Sequence, residues 1–518
     1  MNGGQALIRT LVNSGVDVCF MNPGTSEMHF VAALDDVPAM RGVLGLFEGV
    51  ATGAADGYAR MSEKPAATLL HLGPGLGNGV ANLHNARKAK TPIVNIVGDH
   101  ATYHKRYDAQ LESDIEAIAR NVSPGFVRWC KDPAHVGDDA VETVRAAYGP
   151  PGQVATLVLP ADVSWTDGAS PAQGATRPPR REASSENVEL VAKALRSGEP
   201  AAILIGGTAC RRSALELVAR LSASTGCKVL CETFPARLER GAGIPAVERI
   251  AYLAEFAMTQ LDGLRHLIVV DAKVPVSFFA YPEKPSYLVP DGCEVHVLAD
   301  PSEDAVGALE MLCEAVGASG GGAGAEASRP ARPVGALTAQ TVCEALGALL
   351  PEGAIVSDEG NTSGLWASRA TDGAPPHDWL CLTGGAIGQG LPLAVGAAVS
   401  CPERRVISLE ADGSAMYTLQ SLWTMAREGL DVTTIVFANR SYAVLNMELN
   451  RVGATSGGAK ARQMLDISRP EIDFVSLAEG LGVPAVRPTD AESFTIDLER
   501  ALNTPGPSLL EAVIPSLM

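Results

Sequence analysis

The sequence predicts an α/β protein built from three doubly wound parallel-sheet blocks. Short apolar runs bounded by Gly, Pro or charge recur along the chain and alternate with helix-length stretches, the pattern of buried parallel strands joined by crossover helices. Two segments lack periodicity: 166–186, rich in Pro, Ala, Ser and Arg, and 317–333, rich in Gly and Ala. Neither can bury a core, so both read as linkers. They cut a chain of 518 residues, too long for one core, into 1–165, 187–316 and 334–518.

In the first block the expected strands are 16–20, 43–47, 67–71 and 93–97, with helices over 49–60 and 77–89. The middle block repeats the pattern at 201–207, 228–231, 266–271 and 294–299, and the third at 354–358, 405–409, 433–439 and 508–514. No short repeat or coiled coil interrupts this order.

Composition excludes some classes of function. A formal charge of −18 argues against nucleic acid as the main partner. A small anionic substrate stays compatible, because a local field can oppose the global one. The ten cysteines are scattered without a CxxC pair or zinc-like cluster, the usage of reduced structural thiols in a cytoplasmic protein. The first residues lack a basic, then apolar leader, and no apolar run is long enough to span a bilayer, so no membrane association is expected.

The most informative motif is Glu410-Ala411-Asp412-Gly413-Ser414, with Asn439 27 positions after Asp412 in Phe437-Ala438-Asn439-Arg440-Ser441. It reads as a strand end, a helix, a second strand and an amide-bearing turn. Two oxygen ligands side by side beyond parallel strands suit a hard cation such as Mg²⁺, and that cation suits a diphosphate. An Asp-Gly at a strand end is also an ordinary turn; the paired Asn makes it more than that. The pattern resembles the metal–diphosphate motif of thiamine diphosphate (ThDP) enzymes, usually Gly-Asp-Gly followed at a distance by Asn-Asn. Ala411 and Ala438 depart from it, but both ligand positions are kept.

The resemblance, to the acetolactate synthase / benzoylformate decarboxylase superfamily, covers nearly the whole chain and implies pyrimidine-binding, central Rossmann-like and diphosphate-binding domains in that order. It implies that Asp412, Asn439 and the Ser441 carbonyl hold Mg²⁺, and that Gly413 and Ser414 open a helix facing phosphate. Thr383-Gly384-Gly385-Ala386-Ile387-Gly388-Gln389-Gly390 resembles the segment under the thiazolium ring. Ile387 would prop the folded cofactor, and the Gly385 carbonyl would accept from the pyrimidine amine. These glycines also permit close helix–strand packing. Asn361 and Thr362, after the expected strand 354–358, would contact phosphate oxygens; polar residues at such a turn also serve as caps.

In the first block, Glu48 stands at the top of a buried strand and opens Gly49-Val50-Ala51-Thr52-Gly53-Ala54-Ala55-Asp56-Gly57. A carboxylate there is costly unless used or paired. By resemblance it bonds the aminopyrimidine nitrogen and activates the cofactor; otherwise it is a first-turn Glu favoured by the helix dipole. Asn22-Pro23-Gly24-Thr25 is a tight turn, with Thr25 where benzoylformate decarboxylase-like enzymes place a substrate-contacting Ser. His71 matches a proton-transferring His of those relatives, and Asn78, opening a helix, reads as a cap or loop staple. His100, His104, Lys105 and Asp108 form a charged loop, solvated or selecting substrate, and Glu448 faces either solvent or the substrate space.

The resemblance therefore implies a ThDP- and Mg²⁺-dependent enzyme, acetolactate synthase-like. It would form an enamine from a 2-keto acid and condense it with a carbonyl acceptor. One alternative is a benzoylformate decarboxylase-like enzyme releasing an aldehyde. Another, from a different class, is an inactive regulatory subunit of the same fold, and a third is a flavin- or NAD-dependent oxidoreductase. The middle block carries no clear flavin (FAD) signature, and Ser277-Phe278-Phe279-Ala280-Tyr281-Pro282 holds no His where such decarboxylases have a second one. Because the family's cofactor lies between the first block of one subunit and the third of its neighbour, a homodimer is the minimum expected, and a homotetramer by analogy.

Overall fold

The structure, a computed structural model, describes residues 1–454 and 458–516. Three sheets account for its strands. The first contains β1 (Val18–Asn22), β2 (Arg41–Leu44), β3 (Ala66–Leu70), β4 (Ile93–Asp99), β5 (Val127–Trp129) and β6 (Val154–Pro160), all parallel, in the order β2-β1-β3-β4-β6-β5. The central strands are β7 (Ala201–Ile205), β8 (Lys228–Cys231), β9 (Leu238–Arg240), β10 (Glu248–Arg249), β11 (His266–Val270) and β12 (Glu294–Ala299). Five of them form the parallel sheet β10-β8-β7-β11-β12.

β9 leaves its neighbours and pairs antiparallel with β14 at the edge of the third sheet. That sheet contains β13 (Ile355–Glu359), β14 (His377–Cys381), β15 (Val406–Ala411), β16 (Val432–Ala438), β17 (Ala485–Val486) and β18 (Ser508–Val513), in the order β17-β18-β16-β15-β13-β14-β9. The expected three parallel sheets are present, the third with this one antiparallel edge. Strand β9 has no apolar run of its own (Leu-Glu-Arg), so periodicity does not reveal it.

Several expected bounds shift. The run 43–47 ends as a strand at Leu44, and the helix begins at Glu48 rather than 49. The second helix starts at Leu72, not 77, because Gly73-Pro74-Gly75 continues as helix; Asn78 thus lies inside it and opens nothing. Cysteines are free and mostly buried, where they pack as small apolar groups. Among the described residues no helix is long and apolar enough to cross a membrane.

The first and third blocks join through two helices, Glu48–Ser62 and Gly390–Ser400. Their backbones approach where glycine has no side chain. A Cβ on Gly57 would stand 2.0 Å from the Leu393 carbonyl oxygen, and one on Gly396 1.8 Å from that of Ala54. A buried ion pair within the first of these helices reaches across the same seam through its hydrogen bonds. Arg60 binds Asp56 (2.6 Å) and donates to the carbonyls of Cys381 (2.8 Å) and Ala236 (3.0 Å), while Gln389 Nε2 donates to Asp56 (2.7 Å). All three blocks meet at this node.

Candidate active site

Open parallel sheets bind ligands beyond the carboxyl ends of their strands, where the strand order reverses. In the third sheet the reversal falls between β13 and β15, and in the first between β1 and β3. The expected site residues lie at these points or one strand away.

At the third sheet, Asp412 directly follows β15 and is 3 % exposed. Its Oδ1 accepts from the Gly413 amide (2.8 Å) and its Oδ2 from the Arg440 amide (2.6 Å). The Arg440 side chain turns away to pair with Glu471. Burial pushes the Asp412 carboxyl up to about 6, against the opposing pull of the backbone amides and of the Arg440 charge. Asn439 follows β16; its Oδ1 accepts from the Ser441 amide (2.9 Å) and its Nδ2 donates to Ser363 Oγ (3.3 Å). Ser441 Oγ accepts from Asn446 Nδ2 at 3.0 Å. The donor set is all oxygen, from adjacent strands, around a buried carboxylate. It fits a hard divalent cation.

The helix after β15 spans only Asp412–Ala415, so Asp412 opens it, and its four residues supply little dipole. Gly413 and Ser414 are buried within it. Asn361 after β13 has φ 47°, a left-handed turn Asn tolerates, and its Nδ2 donates to Ser414 Oγ (2.9 Å). This contact ties together the turns on either side of the strand-order reversal, with Thr362 buried beside it.

The 384–388 turn is gripped from two sides. From the first block, Asn85 Nδ2 donates to the Ala386 carbonyl (2.8 Å), Asn82 Nδ2 to those of Gly388 (3.1 Å) and Gly49 (2.8 Å), and His84 Nε2 lies 3.2 Å from that of Gly384. From the third, the Glu359 carboxylate accepts from the amides of Gly388 (2.7 Å) and Gly390 (2.5 Å). Among the described residues the Gly385 carbonyl receives no donor, and Ile387 is half-buried. Gly385 has φ +74°, and a Cβ there would stand 2.5 Å from the Phe278 ring. Phe278 thus walls this turn, backed edge-on by Phe234 and Phe279.

At the first sheet, Glu48 is 7 % exposed and its Oε2 accepts from Asn78 Nδ2 (3.0 Å). Position 75 must stay small, since a Cβ on Gly75 would lie 2.9 Å from Glu48 Oε1. His71 caps the next helix, and its Nδ1 lies 2.8 Å from Glu27 Oε2. The Glu27 carboxylate raises the His71 pKa, chiefly by this hydrogen bond, against the opposing effect of burial. Glu27 also accepts from the Gly24 amide (2.7 Å), and a Cβ on Gly24 would come within 2.2 Å of His71 Nδ1. Thr25 is exposed on the same turn.

Sequence reasoning missed Glu27, Glu359, Asn82, Asn85 and Phe278. Only Glu27 carried a signal, as a lone acid in an otherwise neutral turn. Two residues whose roles the sequence left open, solvated or substrate-facing, have defined partners. Lys105 is tied to Asp99 (2.9 Å) and Glu112 (2.7 Å) and lies over the Trp129 ring, so it braces the loop. Glu448 is buried and turned to the central block, accepting from Tyr252 OH at 3.3 Å.

Comparison with known proteins shows the family of the chain. The profile described as "Thiamine pyrophosphate enzyme, N-terminal TPP binding domain" matches residues 1–118, and its "C-terminal TPP binding domain" counterpart matches 358–512. A Mycobacterium tuberculosis protein named "Putative acetolactate synthase large subunit IlvX" is 60 % identical over 519 residues, covering 100 % of both chains. Benzoylformate decarboxylase of Pseudomonas aeruginosa is 30 % identical over 98 % of each. Among solved structures, the Rhodococcus jostii RHA1 thiamine diphosphate-dependent 4-hydroxybenzoylformate decarboxylase superposes with a TM-score of 0.84 at 23 % identity, covering 99 % of each chain. Buried carboxylate, gripped turn and oxygen-ligand pair thus stand in a chain that belongs to the thiamine diphosphate-dependent enzymes, among the relatives of acetolactate synthase and benzoylformate decarboxylase.

Proposed function

We propose that this enzyme decarboxylates a 2-keto acid and transfers the resulting acyl-anion equivalent to a second carbonyl, in the manner of an acetolactate synthase, with Mg²⁺ as its metal. The observation that carries the reading is the pairing of a buried Glu48 with an Asp412/Asn439 oxygen pair beyond adjacent strands. When bound, ThDP supplies the carbanion-stabilising chemistry.

The chain's own residues bind, orient and move protons. Asp412, Asn439 and the Ser441 carbonyl would hold Mg²⁺. Asn361, Thr362, Gly413 and Ser414 would receive the diphosphate. The free Gly385 carbonyl would accept from the pyrimidine amine, and Ile387 would support the cofactor's bend. Glu48, positioned by Asn78, would exchange a proton with the pyrimidine. Thr25 would meet the substrate carboxylate. His71, whose protonated form Glu27 favours, would deliver a proton.

That His71–Glu27 pair favours a second reading, a decarboxylase that releases an aldehyde. A panel of 2-keto acids with ThDP and Mg²⁺, read for CO₂, aldehyde and condensation product with and without added aldehyde, separates the two. Absence of CO₂ release from every acid would refute both and favour the inactive regulatory subunit.

Flavin is not part of the proposal. The turn after β7 that would meet a dinucleotide's phosphates is capped by Asp271, whose Oδ2 accepts from the Thr208 amide and hydroxyl, both at 2.8 Å. Lys90 (3.3 Å) and Arg180 (3.6 Å) lie on the same carboxylate. The remaining cleft holds about 100 Å³, below the roughly 300–1,000 Å³ of small-molecule sites.

In one chain the side-chain partner of Glu48 is Asn78, of its own block. Leu46 beside Glu48 and Met416 and Tyr417 beside the metal turn are exposed. Burying these apolar groups against a second copy would bring Glu48 to the neighbour's cofactor, so the active unit is proposed to be a homodimer, paired into a homotetramer.

A further inference from the structure

At the opposite, amino-terminal ends of the central strands lies a cluster that the proposed reaction does not use. His266 opens β11, and Glu294 and His296 project from one face of the edge strand β12, with Glu294 in register with His266. His266 Nδ1 and His296 Nε2 are 3.1 Å apart, and Glu294 Oε2 lies 3.9 and 3.8 Å from them. In a tetrahedral zinc site with bonds of about 2.0–2.2 Å, ligand atoms stand roughly 3.3–3.6 Å apart. Shifts of a few tenths of an ångström bring all three atoms to that spacing.

A second observation fixes what His266 presents. Its Nε2 lies 3.1 Å from Glu199 Oε2. A carboxylate accepts and does not donate, so Nε2 carries the proton; with one proton on the ring, Nδ1 turns a lone pair toward His296, where it accepts from Nε2–H when no metal is bound. Carboxylate–histidine–metal arrangements orient their imidazoles in this way. Both rings are largely buried, His266 at 11 % and His296 at 9 % side-chain exposure, whereas Glu294 is 72 % exposed and free to swing. Two imidazoles, one exposed carboxylate and an open fourth position suit Zn²⁺.

We propose that His266, His296 and Glu294 bind one zinc ion, with Glu199 orienting His266, and that the ion ties edge strand β12 to β11 away from the active site. The test is calorimetric titration of ZnCl₂ into the full chain loaded with ThDP and Mg²⁺, so that the oxygen pair at Asp412 is filled. One zinc per chain is expected. His296→Ala should weaken it by tenfold or more, and Glu199→Gln by about 10–100-fold, the usual effect of losing an orienting carboxylate. Co²⁺ should show the visible bands of a tetrahedral site, lost in His296→Ala, while 2-keto acid turnover stays unchanged in that variant. No zinc uptake, or uptake that His296→Ala and Glu294→Ala both leave intact, would reduce the cluster to a hydrogen-bonded histidine pair and overturn the proposal.

Discussion

Glu27 Oε2 lies 2.8 Å from His71 Nδ1, and among the described residues its buried Oε1 has no partner. The pair joins the turn after β1 to the end of β3, the two strands between which the first sheet reverses order. The acid is nearly inaccessible, at 1 %, and the histidine is 24 % exposed. Solvent therefore reaches the imidazole and not the group that charges it.

A raised His71 pKa means that the imidazolium persists above the ordinary histidine range, about 6.5. Proton delivery should fall as pH rises through the raised value. The pair's contribution to stability runs the same way, fully present below the unfolded histidine pKa and lost as pH rises through the folded one. Glu27→Gln should move the alkaline limb of the kcat/KM profile to lower pH. An alkaline limb that does not move would remove His71 from the proton path.

Glu48→Gln keeps the size of the side chain and removes its proton chemistry. Turnover should fall by about 10²–10⁴-fold or more, the range for a positioned proton-transfer group. ThDP affinity, read by quenching of intrinsic fluorescence, should stay within a few-fold of the parent. Full turnover in this variant would sink the assignment.

Asp412→Ala removes the one carboxylate of the oxygen pair. Mg²⁺ content of the purified protein should drop to background, with ThDP lost alongside it. Elemental analysis reads this directly; retained stoichiometric Mg²⁺ would place the metal elsewhere.

Glu359→Ala strands the amides of Gly388 and Gly390, each buried group costing about 1–3 kcal/mol when unpaired. Part of that loss is offset. Glu359 faces Glu410 across β13 and β15, and burial raises the pKa of both carboxyls, that of Glu359 to about 7. Urea unfolding should show a net destabilisation, and ThDP affinity should fall because the turn carrying Gly385 and Ile387 loosens. Unchanged affinity would mean that the first-block asparagines alone hold the turn.

The three sheets were legible in the chain because buried parallel strands leave continuous apolar runs, and Asp412 and Asn439 because each sits directly after such a run. Strand β14 (His-Asp-Trp-Leu-Cys) was not expected, since its polar start hides a fully buried strand. There Asp378 is neutralised by Arg237 (2.5 Å) and Arg404 (2.6 Å), partners far away in sequence.

The amino-acid order alone determined the alternation of strands and helices, the two turns that present oxygen ligands, and the carboxylate opening a helix at Glu48. Each is local: a run, its end and the next residue. What only the tertiary structure decided is who holds whom: Glu27 on His71, Asn78 on Glu48, Glu359 and Asn85 on the 384–388 turn, β9 on a neighbouring sheet. These partners meet because packed sheets bring strand ends together in space, and no periodicity along the chain encodes which ends will be neighbours.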